Sequence, residues 1–144
     1  MAEITDAARE QLDLLTAGKP NQSSQKFLQW MENWKSLVEE IGAYRGSIAD
    51  EYFNDLGARD HLAIAMTRAH KMGYVDFLSW ALPLVEEVDR RFVIKTVPDD
   101  EGLMWGNYLD PNAWWNRRLP KDEGLLERFR TIGAERRRAS YTSS

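Results

Sequence analysis

One apolar stripe in the first third of the chain constrains the fold more than any other feature. Its members recur at alternating spacings of four and three residues: Phe27, Met31, Trp34, Val38 and Ile41. This spacing places all of them on one face of an α-helix, and Trp30 and Leu37 widen that face. Ser23 or Ser24 is suited to cap the start of the helix, and Gly42 is suited to end it. Such a stripe needs other helices to cover it, so the sequence predicts a helical bundle with Trp34 in its core.

The N-terminal segment carries a shorter stripe of the same kind, formed by Ala8, Leu12 and Leu15. Thr5 is suited to cap this helix, and Gly18 followed by Pro20 is a helix stop signal. We therefore predict an N-terminal helix within residues 1–18 and a polar linker over residues 19–25.

Residues 47–73 read as two helices separated by a glycine. Ser47 opens the first helix, and Gly57 is predicted to end it. Asp60 is predicted to cap the second helix, and Gly73 to cap its C-terminus. The apolar faces of the two helices consist of Ile48, Tyr52 and Leu56, and of Leu62, Ala65, Met66 and Ala69.

The next segment, which begins near Asp76, is the most apolar in the chain. Its stripe is formed by Ala81, Val85, Val88 and Phe92. Pro83 removes a backbone donor from the helix, which predicts a kinked helix or, alternatively, a helix that begins near Pro83. The β-branched run from Val93 to Val97 predicts a short extended piece.

A last helix is predicted over residues 121–139, capped by Asp122. Its apolar residues are Leu125, Leu126, Phe129 and Ile132. Together these elements predict one all-α domain over residues 1–144, with a helical core at 26–97 and a polar tail at 140–144. The architecture expected from the short loops is an antiparallel bundle of five to six helices.

A tryptophan-rich segment at about 98–120 interrupts this pattern. Three of the six tryptophans fall between Trp105 and Trp115, among prolines and glycines. The segment is predicted to be irregular yet ordered, because disordered segments are poor in aromatic residues. Since two adjacent side chains point in different directions, at least one of Trp114 and Trp115 is expected near the surface.

Three interpretations of this segment remain open: a cap on the end of the bundle, a site for a partner protein, or a pocket for a small ligand. Trp, Tyr and Arg dominate the binding energy of interfaces. The candidate partner-binding residues are Trp105, Tyr108, Trp114, Trp115, Arg117 and Arg118.

Charge is distributed unevenly along the chain. Residues 1–110 carry 11 Lys/Arg against 19 Asp/Glu, a net of −8, whereas residues 111–144 carry 8 against 4, a net of +4. The acidic body disfavours nucleic-acid binding, except through the basic tail at Arg136, Arg137 and Arg138. A candidate acidic face for docking consists of Glu39, Glu40, Asp50 and Glu51.

The residue patterns of common catalytic sites are missing. The chain has no cysteine, and no phosphate loop, GxGxxG or GxSxG occurs. His61 and His70 are nine residues apart, which places them on opposite faces of a regular helix. We therefore predict no catalytic residues, no metal site and no cofactor.

These observations favour a non-enzymatic protein that acts by binding another protein. The acidic body and the aromatic segment are typical of a small inhibitor or immunity-type protein that docks on a basic target. The alternatives are a structural subunit of a larger assembly, such as a phage or secretion particle, and a ligand binder or enzyme with a pocket near the tryptophans. The N-terminus lacks the features of a signal peptide, which predicts a cytoplasmic location.

Overall fold

A computed structural model describes residues 3–17, 24–41, 48–101, 112–121, 123–124, 126–127 and 129–131, without the side chains of 48–51, 53 and 54. Its long elements are the helices α1 (Asp6–Thr16), α2 (Ser24–Glu40), α3 (Ile48–Met72) and α4 (Val75–Lys95). Its short elements are the strands β1 (Thr96–Pro98) and β2 (Arg118–Pro120), with a 3₁₀ turn at Trp114–Arg117 between them. The predicted all-α helical bundle is confirmed.

The helix α1 begins as the sequence predicts. The hydroxyl of Thr5 accepts a hydrogen bond from the backbone N–H of Ala8 at 3.2 Å, which satisfies one of the free donors of the first turn. Ala8, Leu12 and Leu15 are buried, and α1 packs mainly on α4. Gln11 strengthens this contact, because its side-chain carbonyl accepts from the backbone N–H of Phe77 in the first turn of α4 at 2.7 Å.

The stripe of α2 forms the centre of the core. Phe27, Met31, Trp34, Leu37 and Val38 are buried, and α2 packs chiefly on α3. The Trp34 ring is 1% exposed, which confirms the burial that the spacing predicts.

The prediction that Gly57 ends a helix and that Asp60 caps the next one is wrong. One helix, α3, runs without interruption from Ile48 to Met72. Glycine lowers helix stability by only about 1 kcal/mol relative to alanine, and the apolar face continues past Gly57. Buried residues occur on both sides of it: Tyr52, Leu56, Ala58, Leu62, Ala65, Met66 and Ala69.

The end of α3 follows the sequence prediction. Gly73 has a φ of +72°, the left-handed conformation that glycine adopts at low energetic cost. The backbone N–H groups of Gly73 and Tyr74 donate to the carbonyls of His70 and Ala69 at 3.2 and 3.0 Å. These bonds turn the chain directly into α4.

The helix α4 runs through Pro83. Val75 is its first residue, so the alternative that the helix begins near Pro83 is excluded. Its helical backbone continues to Lys95, so the extended piece predicted at Val93 to Val97 is confined to Thr96–Pro98. Val93 to Lys95 belong to the helix, and the backbone N–H of Thr96 still donates a hydrogen bond to the carbonyl of Val93.

The segment predicted to be irregular contains regular structure at its ends. Strands β1 and β2 pair antiparallel, with Val97 opposite Leu119, so the chain returns to the point where it left α4. A helical stretch follows at 123–124, 126–127 and 129–131. Its Phe129 is buried, with its ring 6.0 Å from that of Tyr52. Arg130 donates to Glu101 at 2.9 Å, and this hydrogen bond raises the pKa of the Arg130 guanidinium.

Candidate functional site

Residues 112–117 of the tryptophan-rich segment are called here the tryptophan turn. It packs against α3 one turn after Gly57, where Arg59 and Asp60 lie. Trp115 is 4% exposed, and its Nε1 donates to the Asp60 carboxylate at 2.7 Å. Asn116 donates to the same carboxylate oxygen at 2.9 Å. These two bonds attach the turn to the middle of α3.

A buried ion pair supports the turn from below. Arg59 donates from Nε and Nη2 to the two carboxylate oxygens of Asp89 on α4, at 2.9 and 3.0 Å. The Trp34 Nε1 donates to the same carboxylate at 3.0 Å. The Trp115 ring covers the guanidinium, with the Arg59 Cζ 4.1 Å from the ring centroid, a cation–π arrangement. This network joins α2, α3, α4 and the tryptophan turn through side chains that are largely shielded from water.

Trp114 occupies the outer side of the same turn. It is half-buried, and its ring centroid lies 6.1 Å from that of Phe92 and 5.8 Å from that of Trp115. The contact with Trp115 is edge-on, at an interplanar angle of 80°, a favourable aromatic geometry. Its indole therefore rests on two buried rings and forms a wall between two open concavities.

The first concavity, the α4 concavity, has a volume of about 510 Å³. It lies between Trp114 and the C-terminal half of α4, and its lining is mostly apolar. Ile94 is 72% exposed and Val93 is 43% exposed, so two large apolar side chains face solvent beside the indole. The lining residues are Glu86, Asp89, Arg90, Val93, Ile94 and Trp114.

The second concavity, the α3 groove, has a volume of about 840 Å³ and lies on the other side of Trp114. One wall is the outer face of α3 from Arg59 to Lys71, and the other is residues 112–116 of the tryptophan turn. Ile64 on this wall is 52% exposed. Arg68 and Lys71 supply positive charge at the far end of the helix wall.

Arg118 supports the end of α4. Its guanidinium donates to the Thr96 hydroxyl at 2.7 Å and to the carbonyls of Thr96 and Val93 at 2.9 and 3.1 Å. The last carbonyls of a helix have no partner within the helix, and a cation is favourable there. Arg118 thus acts as a side-chain cap for α4, whereas Arg117 is exposed.

The other predicted site residues are placed only in part. Glu39 and Glu40 are exposed at the C-terminal end of α2. Asp50 and Glu51 belong to the first turn of α3, but their side chains lie outside the described residues. Trp105, Tyr108 and the basic tail from Arg136 to Arg138 also lie outside the described residues.

Three residues that organise the site were not predicted as site residues from the sequence: Arg59, Asp60 and Asp89. A signal for Arg59 is nevertheless present, because it lies three residues after Leu56 and three before Leu62, within the buried stripe of α3. A charge inside an apolar stripe indicates a buried partner of opposite sign. Asp89, three residues before the buried Phe92, supplies it.

The histidines and carboxylates of the described residues do not form a metal-binding cluster. No group of three or more His, Asp or Glu side chains among them is arranged to hold a metal ion. The His61 ring instead stacks on Trp30, with centroids 4.5 Å apart and an interplanar angle of 10°. Within the described helices, none is both long and apolar enough to cross a membrane.

The chain matches no family model, no curated protein and no solved structure.

Proposed function

We propose that this chain is a protein-interaction module that docks through the α4 concavity. The observation that carries the proposal is the exposure of Ile94 and Val93, at 72% and 43%, beside the half-buried Trp114. Isolated exposed apolar residues are common on protein surfaces, but a cluster of them around a concavity is typical of a binding site.

The energetics favour a protein partner for this surface. Removing a large aliphatic side chain from water contributes about 1.5–3 kcal/mol, and tryptophan is enriched among residues that dominate interface energies. Trp114 already rests on Phe92 and Trp115. Since the ring is held before binding, little conformational entropy is lost when a partner covers it.

The proposed partner is a basic protein that presents an apolar side chain to the concavity. The chain carries a net charge of −4, which speeds association with a cationic protein and opposes association with a second copy of itself. Glu86, exposed at the edge of the concavity, is placed to meet a cation of the partner. An acidic chain that covers a surface of a basic target fits the function of a small inhibitor or immunity-type protein.

The proposal is tested with Ile94→Lys, which places a cation where the partner's apolar side chain docks. Leu14→Lys is the matched control, because Leu14 is 56% exposed and also lies near the C-terminal end of its helix. Proteins retained by the immobilised wild-type chain and by Leu14→Lys, but not by Ile94→Lys, are purified as candidate partners. Dissociation constants are then measured by calorimetry at low and high salt.

We expect Ile94→Lys to weaken binding by about thirtyfold or more, the effect of a residue that contributes 2 kcal/mol to an interface. Leu14→Lys should leave the dissociation constant within about twofold. Salt should weaken the wild-type complex, because opposite net charges attract the two proteins. A partner that binds both variants equally well, or no protein that distinguishes them, contradicts the proposal.

A further inference from the structure

The α3 groove lies on the opposite side of Trp114 from the docking surface and has a different chemistry. Its helix wall is built from residues three and four apart, at 60, 63, 64, 67, 68 and 71, which share one face of α3. At 1.5 Å per residue this wall is about 16 Å long. Its volume of about 840 Å³ falls in the range of sites that bind small molecules, which is roughly 300–1,000 Å³.

The walls of the groove are apolar at Ile64 and Trp114, and its charged residues are mainly basic. Arg59, Arg68 and Lys71 line it, with Asp60 as the single carboxylate among the described lining residues. The Asp60 oxygen Oδ1 accepts hydrogen bonds from Trp115 and Asn116, which stabilise its negative charge. Because Asp89 balances Arg59, the other charged residues among the described lining are Asp60, Arg68 and Lys71, with a formal sum of +1 in a chain that is acidic as a whole.

One residue that lines the groove has a buried hydrogen-bond donor without an acceptor among the described residues. Asp89 binds Nε and Nη2 of Arg59, but the buried Nη1 meets no hydrogen-bond acceptor in the described part of the chain. A buried donor without an acceptor is unfavourable, and such groups are rare outside binding sites and strained regions. Arg59, whose charge Asp89 balances, therefore brings to the inner end of the groove one donor that the described residues leave without an acceptor.

We infer that the α3 groove binds a small organic anion made of an acid group and a flat apolar body. The apolar body lies on Ile64 and the indole of Trp114. The acid group is attracted by Lys71 and Arg68 at one end of the groove. This site goes beyond the protein-docking function, and among the described lining residues only Trp114 is shared with the α4 concavity.

The test uses two fluorescent probes of nearly the same shape. Anilinonaphthalene sulfonate carries an acid group on an aromatic body, and phenylnaphthylamine is its uncharged counterpart. Both are titrated into the purified full chain. Lys71→Glu reverses one charge of the groove, and Lys26→Glu makes the same change at an exposed position of α2 that does not line it. Thr67→Trp, at an exposed position of the helix wall, fills the groove without changing its charge.

We expect the wild-type chain to bind the sulfonate probe more tightly than the uncharged one. Lys71→Glu should weaken binding of the sulfonate probe about fivefold, the effect of a partly screened charge pair. It should leave binding of the uncharged probe unchanged. Lys26→Glu should affect neither probe, and Thr67→Trp should weaken both about tenfold. Circular dichroism verifies that each variant is folded.

Three results would overturn the inference. Saturable binding of neither probe means that the groove is not a ligand site. Equal weakening of both probes by Lys71→Glu means that no acid group is recognised. Binding that survives Thr67→Trp means that the probes bind elsewhere on the chain. None of these results depends on whether Ile94→Lys disrupts a protein complex, so the two proposals fail separately.

Discussion

The inner and outer sides of the tryptophan turn contain the same kind of residue in two different environments. On the inner side, Trp115 donates to Asp60 and covers the Arg59–Asp89 pair. On the outer side, Trp114 rests on Phe92 between two open concavities. The inner ring is held by specific hydrogen bonds as well as by packing, whereas the described contacts of the outer ring are with other aromatic rings. The two adjacent tryptophans thus differ in role according to whether a buried acceptor meets the indole N–H.

The largest effect is expected where the inner side meets the core. Trp34→Ala should lower the free energy of unfolding by about 3–5 kcal/mol, because it leaves a cavity and removes the hydrogen bond to Asp89. Trp30→Ala is the control on the same helix, since Trp30 is half-buried, and it should cost less than half as much. Urea denaturation measures both. Similar losses of unfolding free energy for the two variants would show that the hydrogen bonds around Asp89 add no stability beyond the packing of the apolar stripe.

The ion pair beneath Trp115 gives the next test. Arg59→Ala should lower the free energy of unfolding by about 3–5 kcal/mol, because it leaves the carboxylate of Asp89 buried without its cation. Arg91→Ala removes an exposed pair with Glu87, whose side chains are 50% and 52% exposed, and should cost under about 1 kcal/mol. Thermal and urea unfolding of both variants check the difference. A small loss of unfolding free energy for Arg59→Ala would show that the ion pair with Asp89 does not stabilise the inner side of the turn.

The inner side of the turn packs on α3. Substitutions at two glycines test whether this helix is continuous, and their effects are expected to be the smallest. Gly57→Ala should raise the free energy of unfolding by about 0.5–1 kcal/mol, because a Cβ at Gly57 meets no atom within 4 Å and alanine favours the helix. Gly73→Ala should lower it by about 1–2 kcal/mol, because the φ of +72° is unfavourable for alanine. Destabilisation by Gly57→Ala would contradict a continuous α3 and support the helix end that the sequence predicts at Gly57.

The stripes of α1 and α2 could be predicted because their information is local. Residues such as Leu12 and Trp34 lie at helical spacing among polar neighbours, and burial follows from that pattern. The path of α3 was predicted wrongly because Gly57 and Asp60, interpreted as a helix end and a helix cap, lie within one continuous helix. Both residue types are typical of helix ends or surfaces.

The tryptophan turn could be predicted only in outline. That two adjacent rings face different environments follows from chain geometry, but which ring turns inward does not. Trp115 is fixed by Asp60, which lies 55 positions away in the sequence. A contact over such a distance depends on how the helices pack, and a single sequence carries no local pattern for it. For the same reason, the groove and the concavity on either side of Trp114 became visible only in the structure.

The most direct test of the difference between the two sides is the urea unfolding of Trp115→Ala and Trp114→Ala, measured side by side. Trp115→Ala should lower the free energy of unfolding by about 3–5 kcal/mol, the loss typical of a buried tryptophan. It should be the larger effect, because it also removes the hydrogen bond to Asp60 and uncovers Arg59. Trp114→Ala should cost less than half as much, since its side chain is only partly buried. Equal losses, or a larger loss for Trp114→Ala, would contradict the assignment of the inner ring to the fold and the outer ring to binding.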